Sequence, residues 1–173
     1  NQAMALLAQV PKQEDASLQL AIAKLNLDAA NFGRAEEALQ QADSQIKPES
    51  PLMGEKEELM GLLHESLGQT SEAKRHFELS AKINPERPVP LRKLAEMGAK
   101  DQVWSEAAKW MERFLQTNPQ QAGHYWAVLG DYWLAAEQVE PGSQALDTAL
   151  RIDLYSYWGH LRMARVFEKN KDT

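Results

Sequence analysis

Trp126-Ala127-Val128-Leu129-Gly130-Asp131-Tyr132-Trp133 is the stretch on which the reading of this chain turns. Trp126, Leu129, Gly130 and Trp133 fall at helical spacing, so one face carries two indoles, a leucine and a gap in the side-chain wall. The gap at Gly130 lets the backbone of a second helix come close. Alone, the octet describes any well-buried helix. Its weight comes from recurrence.

Upstream, residues 89–119 repeat the design. Leu91, Leu94, Ala95 and Gly98 share one face, Trp104 stands at the turn, and Ala107, Ala108, Trp110, Met111 and Phe114 follow before Asn118-Pro119. Residues 55–86 do the same with Met60, Gly61 and His64, Gly68 at the turn, then Ala73, Phe77, Ser80 and Asn84-Pro85. Pro85 and Pro119 are 34 residues apart. Gly61 and Ala73 are small where two helices must cross, Phe77 is expected to fill the space towards the next repeat, and Pro85, lacking an amide hydrogen, stops its helix.

Further back, residues 15–29 put Leu18, Ala21, Ile22 and Leu25 on the face predicted to be buried. Asn31-Phe32-Gly33 breaks that helix, and a return helix carries Ala35, Leu39 and Ala42 inward before Lys47-Pro48. Asn1 to Val10 ends at Pro11 and reads as the trailing helix of a preceding unit. Downstream of the octet come Gly142, Leu146 and Ala149, to Asp153-Leu154. His160, Met163, Ala164 and Phe167 then open another unit, with His160 expected to pack in the core.

The octet resembles the first helix of a tetratricopeptide repeat, whose pattern begins W-x2-L-G-x2-Y and continues through A-x3-F to a proline, with a 34-residue period. The resemblance covers nearly the whole chain. It implies an all-α fold, a right-handed α-α superhelix of about ten antiparallel helices forming a single solenoid over residues 1–173. Its parts would be a trailing helix at 1–12, repeats at 15–48, 54–86, 88–119 and 123–154, and a terminal helix at 156–170, the whole excised from a longer protein.

The resemblance also implies a function. The first helices of successive repeats line a concave groove, and such grooves bind an extended peptide or a helix of another protein. Helical spacing leaves Glu55, Glu58, Leu62 and Glu65 for the groove in one repeat, and Val89, Arg92, Glu96 and Lys100 in the next, with Lys93 at the edge. His124, Ala127, Asp131 and Leu134 follow, then Trp158, Leu161 and Arg165 with Arg162 nearby. The candidate binding set is Arg92, Lys93, Glu96, Lys100, His124, Asp131, Trp158, Leu161, Arg162 and Arg165. Its cations would meet an acidic part of the ligand, with Trp158 as an apolar anchor. The carboxylate-gripping subgroup places Lys and Asn where this chain has Glu55, Glu58 and Leu59, which argues against membership of that subgroup.

Composition bounds the alternatives. Hydrophobic content of 43% and charged content of 25% are those of an ordinary folded protein. No apolar run reaches membrane-spanning length, so direct membrane insertion is not expected. The absence of cysteine excludes disulfides, thiolate metal sites and cysteine nucleophiles, and is compatible with cytoplasm and periplasm alike. A net charge of -6 argues against nucleic-acid binding. The charge is uneven: residues 1–86 hold 14 acidic and 8 basic side chains, and residues 87–173 hold 11 of each. The five Trp and four Tyr all lie after residue 103.

Catalysis finds no purchase. His64, His76, His124 and His160 are scattered, with no HExxH, and the glycines form neither GxGxxG nor GxxxxGK[ST]. The adjacent pairs Glu36-Glu37 and Glu57-Glu58 point in different directions on a helix. The expectation is a protein-interaction scaffold with no catalytic residue, cofactor or metal. Two alternatives stand beside it: the docking or regulatory region of a larger enzyme, and end-to-end self-association through open edges at Leu6-Leu7, Leu161 and Val166.

Overall fold

A computed structural model of the chain describes residues 15–117, 123–155 and 157–171, leaving out the side chains of Trp158, Arg165 and 167–171. The trailing helix expected at 1–12 lies outside the described residues. These hold nine helices and no strand: α1 (Ala16–Asp28), α2 (Phe32–Asp43), α3 (Leu52–Ser66), α4 (Thr70–Ile83), α5 (Pro88–Lys100), α6 (Trp104–Thr117), α7 (Gly123–Ala135), α8 (Val139–Ile152) and α9 (Tyr157–Lys171). Two compact units meet in sequence between Pro90 and Leu91, and each is described by itself.

The turns inside the helix pairs share one design. Asn31, Gln69, Val103 and Gln138 each donate their amide to the carbonyl five residues back, on Asn26, His64, Gly98 and Trp133, at 2.8 Å in every case. The residue before each donor is left-handed: Ala30 (φ 56), Gly68 (φ 74), Gln102 (φ 60) and Glu137 (φ 61). This is the Schellman closure, which satisfies the last helical carbonyls and reverses the chain. Only one of the four turns uses glycine, the residue that enters this region without a Cβ penalty. Replacing Glu137 by Gly is expected to raise stability by about 0.5–1 kcal/mol, and Gly68→Ala to lower it by about 1 kcal/mol. Urea midpoints measure both, and shifts in the opposite directions would refute the strain argument.

In the unit ending at Pro90, α1 is capped by Asp15, whose carboxylate accepts from the Ser17 amide at 2.9 Å and hydroxyl at 2.6 Å. Those bonds hold its carboxyl below the ordinary value, the hydroxyl contributing most. A continuous core runs through Leu20, Ala23, Ala35, Ala38, Leu39, Ala42, Leu59 and Leu63. The buried face of α1 is therefore Leu20, Ala23 and Asn26, not the predicted Leu18, Ala21, Ile22 and Leu25. The helix is apolar on nearly every side, so periodicity leaves its rotation open. Ala35, Leu39 and Ala42 of α2 are buried as expected. In the next pair, Phe77 is fully buried and its ring lies on Gly61, where an added Cβ would stand 2.5 Å from the ring. Phe77 fills the crossing inside its own helix pair.

Polar groups also tie α3 to the segment after it. His76 Nδ1 lies 2.6 Å from Glu57 Oε2, and Arg75 Nη2 lies 3.2 Å from His76 Nε2. Guanidinium can only donate, so Nε2 accepts and Nδ1 donates to Glu57. Lys56 Nζ reaches Glu57 Oε1 at 3.0 Å and Asp43 Oδ1 at 2.5 Å. Burial alone would lower the Lys56 pKa, but hydrogen bonds to Asp43 and Glu57 outweigh it and hold the ammonium above its ordinary value. Glu58, predicted to face the groove, is buried and takes Arg87 Nε at 2.6 Å.

In the unit beginning at Leu91, α5 buries Leu91, Leu94 and Ala95 and meets α6 at Gly98, where an added Cβ would lie 3.2 Å from Ala107 Cβ. The crossing of α7 and α8 is built alike, with Gly130 against Leu146 and the Gly142 carbonyl. Ala127, Leu146, Ala149 and Val166 form the core of α7, α8 and α9. This corrects three expectations. Ala127 is covered rather than groove-facing, Leu134 packs on Gly142, and Val166 is buried rather than an open edge. On α9 the inward residues are Gly159, Met163 and Val166, while His160 is exposed and joined through Nε2 to the Leu154 carbonyl at 2.8 Å. The buried face is turned by one residue from the predicted one, with Gly159 rather than His160 on it.

Candidate functional site

The whole candidate set lies in the second unit, on the first helix of each pair: α5, α7 and α9. On α5, Arg92 Nη1 donates to Glu96 Oε1 one turn later, and Lys93 Nζ stands 4.0 Å from Glu96 Oε2. The helical i, i+4 and i, i+3 offsets put these three side chains on one stripe. Lys100 is exposed in the last turn, where a cation complements the unsatisfied carbonyls of a helix end.

Asp131 follows the crossing residue Gly130 on α7 as Glu96 follows Ala95 on α5. Its carboxylate receives Arg162 Nε from α9, at 2.8 Å to Oδ1 and 2.7 Å to Oδ2. His124 is exposed at the start of α7 and sits edge-on to Tyr125, which in turn is edge-on to Phe114. Leu161 is half-buried. The side chains of Trp158 and Arg165 are among those not described.

Two aromatic residues join the set that sequence reasoning did not place there. Tyr132 is half-buried, with its ring centroid 6.2 Å from that of Trp104. Burial pushes the Tyr132 phenol above its ordinary pKa, and the negative charges of Glu96 and Asp131 push it further. The available signal was its position next to Asp131 in a half of the chain that holds every Trp and Tyr.

The arrangement brings together Arg92, Lys93 and Glu96, and separately Asp131 and Arg162. Among the described residues, no hydrogen bond or ion pair joins Lys100 or His124 to that group. The cations are thus not a bare positive strip. Three cations stand against two carboxylates, and each carboxylate holds an arginine. Half-exposed pairs of this kind contribute only about 0–1 kcal/mol to stability, so the fold does not depend on them.

A second feature of this unit is a cleft of about 370 Å³ between α6 and α7, lined by Glu112, Leu115, Gln116, Trp126 and Leu129. Trp133 Nε1 donates to Glu112 Oε1 at 3.1 Å, whereas Trp126 Nε1 is buried without a partner among the described residues. Among the described residues no three His, Asp or Glu side chains converge as metal ligands, and no helix is long and apolar enough to cross a membrane.

No protein-family model matches the sequence, and no curated protein matches it. Solved structures do. A tetratricopeptide repeat protein from Parabacteroides merdae superposes with a TM-score of 0.73 at 16% identity, over 91% of this chain and 60% of that one. MamA from Desulfovibrio magneticus RS-1, residues 41 to the end, gives 0.68 at 19% identity, over 91% and 86%. The chain has the tetratricopeptide-repeat fold. A third tetratricopeptide-repeat structure, the first such domain of Spaghetti (RPAP3) bound to the HSP90 peptide SRMEEVD, gives 0.58 at 11% identity, over 70% and 96%. In tetratricopeptide-repeat terms, Gly61, Ala73 and Phe77 occupy the crossing positions of the pattern, and Trp126, Leu129, Gly130 and Trp133 those of its first helix.

Proposed function

We propose that the protein is a non-catalytic interaction scaffold, and that the α5, α7 and α9 face holds a peptide or helix of a partner protein. The observation that carries this reading is two half-exposed charged groups on first helices, Arg92, Lys93 and Glu96 on α5 and the Asp131–Arg162 pair between α7 and α9. Charged side chains that add little to stability suit recognition of another polypeptide. The peptide held by the Spaghetti domain is an instance of such a ligand on this fold.

The acidic part of the ligand meets Arg92, Lys93 and Arg162, with Arg165 as the further cation on α9. Trp158 and Leu161 supply apolar contact, and Lys100 and His124 stand at the periphery. Replacing Arg92 and Arg162 together by Ala is expected to weaken capture of an acidic peptide by about 10- to 100-fold while the melting temperature stays within a few degrees of the parent. Fluorescence anisotropy with peptides selected on the parent protein measures the first, and calorimetry the second. An unchanged Kd would remove these arginines from the binding surface.

A further inference from the structure

Asp131 poses a problem for any surface that binds an acidic segment, because it adds a negative charge where a carboxylate is to dock. The same holds for Glu96 on α5. The geometry points to Asp131 as a positioning residue: it grips Arg162 so that the free edge of the guanidinium is presented to a side-chain carboxylate of the partner segment. The inference rests on the binding face proposed above and names the group that organises it.

The contact has an unusual economy. Arg162 Nε donates to both Asp131 oxygens, at 2.8 and 2.7 Å. Guanidinium has five N–H donors. The four on Nη1 and Nη2 have no partner among the described residues, and they form the planar fork that matches a carboxylate with two parallel hydrogen bonds. Asp131 thus fixes the base of the fork and leaves its working edge open.

The pair is also poorly suited to a purely architectural role. Its side chains are 31% and 39% exposed, in the range where ion pairs do little for stability. What it does supply is order. A long arginine side chain held in one geometry before binding loses less freedom when the ligand arrives. On α5 the design recurs: Glu96, at the position corresponding to Asp131, takes Arg92 by one terminal nitrogen only.

This makes a prediction of opposite sign to simple charge counting. Coulomb attraction alone says that removing Asp131 tightens binding of an acidic ligand; positioning says that it loosens it. The probe is a decapeptide pool with amidated C termini, so that only side-chain carboxylates are offered, selected on the unmodified chain. The tightest acidic peptide is then compared with its Gln and Asn counterpart, and the ratio of the two affinities is the readout. In Asp131→Ala the ratio is expected to fall about tenfold, with Asp131→Asn, which keeps an acceptor for Nε, lying between. A ratio that rises or stays level in Asp131→Ala overturns the proposal. So does an equal loss for both peptides, which would make Asp131 merely structural. If the unmodified chain selects no acidic peptides, the binding face itself is wrong, and that result is visible before any variant is made.

Discussion

Gly61→Ala is expected to lower stability by about 2 kcal/mol, and Phe77→Leu in the same chain to recover part of the loss. The new methyl would sit 2.5 Å from Phe77 Cε1 and 2.6 Å from Cδ1, well inside contact distance. The ring is fully buried and has no room to step aside. Overpacking of this kind costs about 1–3 kcal/mol. Phe77→Leu by itself is also destabilising, by about 1–2 kcal/mol, because it leaves a void. The two losses are expected to cancel in part, since the void opens where the methyl is placed. A double-mutant cycle in urea, followed by circular dichroism, gives the coupling. Strictly additive losses would mean that the ring yields freely and that Gly61 is not needed for the crossing. The equivalent contact in the second unit is softer. An added Cβ at Gly130 would meet Leu146 Cγ at 2.7 Å, and an aliphatic side chain has more rotamers than a ring in which to escape.

Glu57→Ala is expected to cost more, about 3 kcal/mol. Glu57 and His76 are each 7% exposed, and the carboxylate is the acceptor for His76 Nδ1 and for Lys56. Removing it leaves a buried N–H without an acceptor and a partly buried ammonium with only Asp43. Leaving a buried donor without its acceptor costs about 1–3 kcal/mol, more where a charge loses a partner as well, whereas replacing both sides of a buried hydrogen bond by apolar groups is often nearly neutral. The double substitution Glu57→Leu with His76→Leu is therefore expected to lie closer to the parent than Glu57→Ala does. Denaturant midpoints decide the matter. A loss under about 1 kcal/mol for Glu57→Ala would mean that water replaces the carboxylate at no great cost.

The second helices of the pairs were legible in the sequence because each has one apolar side. Ala35, Leu39 and Ala42, then Ala73 and Phe77, then Ala107, Met111 and Phe114, then Gly142, Leu146 and Ala149 are all buried as their spacing predicts. Several first helices resisted. In α1 the run Leu18 to Leu27 is apolar on almost every side, so nothing local chooses Leu20 and Ala23 over Ile22 and Leu25. In α9 Gly159 is buried where His160 was expected, and in α7 neighbouring helices covered Ala127. Periodicity gives the rotation of a helix only where its faces differ.

The candidate face was legible as a list of residues but not as a set of partnerships. Arg92 and Glu96 could be paired from their offset. Arg162 and Asp131 are 31 residues apart, and no helical rule joins them. Tyr132 and Trp104 come together across α6 and α7, which again requires the fold.

The distribution of aromatic side chains has an experimental consequence of its own. Every Trp and Tyr lies after residue 103, so the unit ending at Pro90 is silent in near-ultraviolet absorption and intrinsic emission apart from its phenylalanines. Far-ultraviolet ellipticity, in contrast, counts the helices of both units. Emission therefore follows the melting of the second unit alone, and ellipticity the average of the two. Coincident curves would mean that the halves melt as one cooperative body, and separated curves that they do not. The native chain carries its own site-restricted dye, with no label to attach.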